Sequence, residues 1–160
     1  MVARRLATIA LAAAVAFGAA ILGGLATDIG PWYRALVKPA WQPPDWLFGP
    51  AWTLIYACAA AAGALAWWGA VEVSQRRAIV AAFTVNLLLN VAWSWLFFRA
   101  KRPDWALAEV ALLWLSIVAL ILVVRRSSTA GAWLLAPYLA WVTFAAALNA
   151  TIVVLNDPFR

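Results

Sequence analysis

Histidine is missing from this chain of 160 residues, and cysteine occurs once, at Cys58. The first absence removes the commonest metal ligand and the usual general base near neutral pH. The second forbids an intrachain disulfide and any multi-cysteine metal site. Charge is scarce as well. Only 11% of the residues are charged, against about 25% in a soluble domain. The net charge is +6, yet no basic run is longer than two residues, so the chain lacks the footprint of a nucleic-acid binder. There is no phosphate loop and no serine with a histidine partner. Conventional hydrolysis, phosphate binding and metal chemistry are therefore without support.

What is present is apolar. The chain is 68% hydrophobic, with a mean hydropathy of +0.90, and it holds 12 Trp against 3 Tyr. A globule of 17.3 kDa has too much surface to hide that composition from water. The expected class is an all-α integral membrane protein. Five stretches reach the ~20 apolar residues that a helical span needs: 6–26, 46–70, 78–98, 105–124 and 130–155. All charged residues except Glu109 fall outside these limits, as the cost of an intramembrane charge requires. The apolar runs are continuous, which suits helices and not barrel strands. The first run is also too long for the core of a signal peptide, so it reads as a span. The whole chain is thus one five-helix membrane domain.

Short links at 72–77, 99–104 and 125–129 make neighbouring helices antiparallel. The first connection is different. It covers 27–45 and holds four of the eight prolines, together with Trp32, Tyr33 and Trp41. A loop this long and this stiff points to a lid or binding loop. Lys and Arg divide equally between the two sides, so orientation rests on Arg4 and Arg5 before the first span, which favour a cytoplasmic N-terminus. Glu109 lies about one turn inside the fourth span and is expected to reach the interface.

Trp105 and Trp133 each begin a span and suit an interfacial belt. The run to Trp52 does not, because six aromatics alternate there with prolines. Trp52, Tyr56, Ala59 and Gly63 share a helical face, as do Asn86, Asn90, Trp93 and Phe97, and also Tyr138, Trp141, Ala145 and Asn149. Pro137 is expected to loosen the helix before them. The three asparagines serve either as interhelical glue or as polar contacts in a cavity. Large rings on three helices beneath an aromatic loop suit a flat apolar ligand held by stacking. There is no histidine to ligate a metal there, and Cys58 is on another face from Tyr56. Small residues recur every four positions at Ala12, Ala16, Ala20 and Gly24, at Ala62, Ala66 and Ala70, and at Ala78 and Ala82. Such stripes permit close packing within the chain, and one is expected to serve a homodimer.

The series Trp32-Tyr33, Lys38-Pro39, Trp41, Pro43-Pro44, Trp46 and Pro50-Ala51-Trp52 resembles the TspO/MBR family. These are tryptophan-rich sensory proteins related to the mitochondrial translocator protein, once called the peripheral benzodiazepine receptor. The resemblance continues through Asn90-Val91-Ala92-Trp93-Ser94-Trp95-Leu96-Phe97-Phe98, Pro137-Tyr138-Leu139-Ala140-Trp141 and Leu148-Asn149. It implies a five-helix bundle, commonly dimeric, that binds protoporphyrin IX-type tetrapyrroles without a covalently bound cofactor. It also implies pocket roles for Tyr33, Pro43, Trp52, Tyr56, Asn90, Trp93, Ser94, Trp141 and Ala145. Some bacterial members degrade protoporphyrin oxidatively in light, and Trp52 and Trp141 stand at the positions implicated. The family's sterol motif after the fifth helix is absent here. The expected function is a tetrapyrrole-binding sensor or regulator. The alternatives are light-dependent porphyrin degradation, or transport of porphyrin or lipid. Transport lacks the internal repeat common among transporters.

Overall fold

The computed structural model describes residues 2–159, with the side chains of Val2, Arg4 and Arg5 outside the described set. All regular elements among the described residues are helical. Five segments are long and apolar enough to cross a membrane: Leu6–Ala26, Asp45–Gly69, Val73–Arg99, Pro103–Arg125 and Thr129–Asn156. The chain is thus a multi-pass, all-α membrane protein. In chain order the helices are α1 (Val2–Ala26), α2 (Pro31–Ala35), α3 (Phe48–Gly69), α4 (Val73–Ser94), α5 (Pro103–Arg125), α6 (Thr129–Leu134) and α7 (Ala136–Asn156). A 3₁₀ turn at Asp45–Leu47 leads into α3, and a π turn at Trp95–Arg99 ends α4.

Local chemistry explains the boundaries. Pro31 and Pro103 begin helices at positions where a missing N–H costs nothing. α4 starts five residues before the expected span. Gln75 accepts the N–H groups of Val71 and Glu72 at 2.9 and 3.3 Å, which fixes a helix start ahead of Arg76 and Arg77. Those two arginines extend from the first turns of the helix instead of forming a link. The fifth span breaks at Leu135, where Pro137 withholds an N–H, and the chain resumes as α7. Ser128 caps α6 by accepting the Gly131 N–H at 3.0 Å.

α5 lies between α4 and α7, α1 packs on α3 and α4, and α6 packs on α3. At the end away from the first loop, Ala62, Ala66 and Ala70 meet Leu120, Val124 and Leu135 in a dense aliphatic core. A Cβ on Gly69 would overlap the Ser127 carbonyl oxygen, so only glycine lets the two backbones approach there. At the loop end the core is made of rings: Tyr33 and Phe97 are buried among Trp32, Phe48, Trp93 and Phe98. Outward the helices present Phe17, Leu54, Leu88, Leu112 and Leu122, a surface suited to lipid.

Three expectations need correction or restriction. Glu109 does not reach the interface. It is 8% exposed, and neither carboxylate oxygen has a hydrogen-bond partner. It shares the inward face of α5 with Ala106, Val110 and Leu113, which gives its short side chain no route outward. The Ala62, Ala66, Ala70 stripe is consumed inside the chain. Ala12, Ala16, Ala20 and Gly24 line the two cavities described below, and Ala20, Gly24 and Ala78 are the exposed members of the named stripes. The orientation argument falls on the side chains of Arg4 and Arg5, which lie outside the described residues.

The candidate ligand cavity beneath the first loop

The first loop folds over the bundle as a roof. Asn156 binds Val37 as a peptide would: its amide donates to the Val37 carbonyl and its carbonyl accepts the Val37 N–H, both at 2.8 Å. Arg99 donates to the Leu25 carbonyl at the end of α1. Trp41 meets Phe144 edge-on at 5.8 Å, and Phe48 meets Trp141 at 5.6 Å. Within the roof the Tyr33 hydroxyl donates to Asp45 at 3.0 Å and accepts from Gln42 at 3.2 Å. Lys38 Nζ lies 3.6 Å from the Tyr33 ring centroid. Burial, reinforced by the bond to Asp45, pushes the Tyr33 hydroxyl up to about 12. Tyr33 is therefore a neutral hydrogen-bonding group throughout the physiological range.

Below the roof lies a cavity of about 470 Å³, within the range of small-molecule sites. Trp52 and Tyr56 form one wall and stack at 5.4 Å with 29° between their planes. Trp93, Ser94 and Asn90 contribute from α4, and Trp141 and Ala145 from α7. Tyr33 closes the top. Eight of the nine family-matched residues thus surround one space, and Pro43 is not among those lining it.

The asparagines separate by role. Tyr56 donates to Asn90 at 3.1 Å, Asn90 to Tyr138 at 3.2 Å, Tyr138 to Asn86 at 3.1 Å, and Asn86 to Ser116 at 2.8 Å. This one-directional chain ties α3, α4, α5 and α7 together beneath the cavity, and aligned donors strengthen one another. Asn149 accepts from the Trp93 indole at 3.2 Å and donates to the Pro103 carbonyl at 2.9 Å. Asn149 is therefore an interhelical tie, Asn90 is both a tie and part of the wall, and Asn86 is a tie that lines a second cavity below. Tyr138, expected on the same face as Trp141, lies below it and meets Trp52 edge-on at 6.1 Å.

Several lining residues went unread in the sequence. α1 supplies Ala20, Gly23, Gly24 and Thr27, whose contribution is lack of bulk; a Cβ on Gly23 would come within 3.4 Å of the Tyr56 hydroxyl. Their four-residue recurrence was visible but points equally to helix packing. Phe98 joins the wall where the π turn alters the angle between successive side chains, leaving Phe97 buried beside it. Asp45 and Phe48 complete the roof.

The fold and the cavity together define a small polytopic membrane protein with an aromatic-walled, loop-covered chamber between its helices. Residues 10–155 match the family model described as the TspO/MBR family, and the chain belongs to that family. It is 41% identical over 125 residues to "Tryptophan-rich protein TspO" of Chlorobaculum tepidum, covering 78% of this chain and 79% of that one. It is 34% identical over 130 residues to "Translocator protein" of Homo sapiens, covering 81% and 77%. It is also 34% identical over 141 residues to "Tryptophan-rich sensory protein" of Cereibacter sphaeroides, covering 88% and 87%.

Proposed function

We propose that this protein binds a metal-free tetrapyrrole of the protoporphyrin IX type in the loop-covered cavity and acts as a sensor or regulator of porphyrin or stress. The observation that carries the reading is the placement of three rings, Trp52, Trp93 and Trp141, on three different helices around one space. Flat aromatic ligands gain from offset stacking and edge contacts with such rings. Tyr33, Ser94 and Asn90 supply the few polar groups that orient a largely apolar ligand. The names of the relatives, sensory protein and translocator protein, agree with a ligand-responsive membrane protein. The reading includes a homodimer and a cytoplasmic N-terminus. Mass measurement in nanodiscs tests the first, and labelling of a cysteine introduced near the N-terminus tests the second.

The second reading is oxidative porphyrin degradation in light, in which the bound ring supplies the photochemistry and dioxygen is the oxidant. Trp52 and Trp141 both lining the cavity favours it. One experiment separates the two. Protoporphyrin IX is titrated into the purified protein, and Trp fluorescence and the porphyrin absorption bands are followed in darkness and in light. Saturable quenching with stable bands in light supports binding alone. Faster loss of the bands, abolished by Trp52→Phe or Trp141→Phe, supports degradation. An absence of saturable quenching overturns both.

A further inference from the structure

A second cavity, of about 550 Å³, lies between α1, α3 and α4 in the half of the bundle away from the loop. Its lining spans positions 7–19 of α1, 55–67 of α3 and 79–90 of α4. Each helix therefore contributes about three turns, and the cavity runs about 18 Å along them. It is therefore elongated along the helix axes, a shape that suits a hydrocarbon chain. Its walls are mostly alanine, glycine and aliphatic side chains, with Tyr56, Trp67, Phe83 and Tyr138 as its rings. Among the described residues no charged side chain lines it. It lies wholly within the membrane-crossing segments, so its occupant comes from the hydrocarbon and not from water.

The outer end has a different chemistry. Trp67 lines the cavity there, and the Arg76 guanidinium lies over its ring at 5.2 Å while donating to the Ala70 carbonyl at 3.2 Å. Arg77 is exposed in the same turn of α4. Cations beside the outer end of an uncharged, elongated apolar groove complement an anionic headgroup on an acyl chain. We propose that this cavity is a lipid site: one acyl chain of an anionic phospholipid lies along α1, with its headgroup at Arg76. The chain's inner end reaches Tyr56 and Asn90, which also line the first cavity.

The test is independent of what fills the first cavity. The protein is placed in phosphatidylcholine nanodiscs carrying a trace of phosphatidylglycerol with a photoreactive acyl chain, and cross-links are mapped by mass spectrometry. Labelling at Ala12, Ala16 and Ala60 is expected to exceed labelling at the outward-facing Phe17 and Leu54 about fivefold. A phosphatidylcholine probe of the same chain should label the cavity several times less. Ala16→Phe, which fills the groove, should abolish cavity labelling and spare Phe17 and Leu54. Ala60→Phe serves as the second variant, and whichever keeps native helicity and a monodisperse elution is read. Arg76→Gln should remove the preference for phosphatidylglycerol. Uniform labelling around α1 and α3, persistence of cavity labels in the filled variants, or an intact headgroup preference in Arg76→Gln would each overturn the proposal.

Discussion

Away from the loop, Ala62, Ala66 and Ala70 are almost without exposed surface against Leu120, Val124 and Leu135, whereas at the loop end the buried residues are enclosed by tryptophan and phenylalanine rings. The first region is held by backbones approaching closely, the second by plates meeting edge to face. At the α3–α5–α6 contact small residues let the backbones close tightly. Rings cannot do this, because offset and edge contacts hold their centroids 4.5–7 Å apart. The aromatic end therefore keeps a space the size of a ligand, while the α3–α5–α6 contact at the other end does not. Small residues also border the second cavity, where α1 meets α3 and α4, so residue type and helix arrangement together decide where this bundle is hollow.

Four substitutions bear on that contrast. The largest effect is expected from Gly69→Ala, whose Cβ meets the Ser127 carbonyl. Overpacking of this kind costs about 3 kcal/mol. Thermal unfolding in detergent should register it, while the folded fraction keeps its porphyrin affinity. Trp141→Ala should do the reverse. Losing one stacking wall is expected to weaken porphyrin binding roughly tenfold, about 1.4 kcal/mol, with a smaller shift in melting than Gly69→Ala. If the two variants lose stability equally, the division between a packing end and a binding end fails. Tyr138→Phe sits between the regions. It removes the bond donated to Asn86 and the acceptor used by Asn90. About 1 kcal/mol of stability should go with it, and porphyrin titration should change too, because Asn90 lines the cavity. The smallest effect is a gain. Lys101 has a φ of 55°, which glycine tolerates better, so Lys101→Gly should stabilise by up to about 1 kcal/mol and leave binding unchanged.

Much of the fold was legible because lipid punishes charge. The segregation of charged residues outlined five spans, and all five are present. The start of α4 was not legible in the same way. Arg76 and Arg77 look like a link, yet long basic side chains extend from a helix end without breaking it, and Gln75 fixed the start earlier. Glu109 was misread for the converse reason: its place near a helix end suggested an escape that the inward face of α5 denies. In the cavity, large rings announced themselves through their spacing. Tyr138 and Asn149 share that spacing but are drawn into hydrogen bonds below and beside the wall. Ala20, Gly23 and Gly24 remained hidden, because a residue that contributes emptiness leaves the same mark as one that contributes contact.

The paired bond between Asn156 and Val37 changes what kind of polymer the roof is. Without it, the segment from the end of α1 to the start of α3 is held to the bundle between its ends by ring contacts, among them Trp41 against Phe144 and Trp32 against Phe97. With it, the segment becomes two shorter loops sharing a pinned middle. Because closure entropy grows only with the logarithm of loop length, the pin restricts the roof while adding little strain. The Tyr33 bonds to Gln42 and Asp45 join the two loops across the pin, so they move as one roof. Asn156→Ala should therefore speed amide exchange both in the stretch holding Tyr33 and in the stretch holding Trp41.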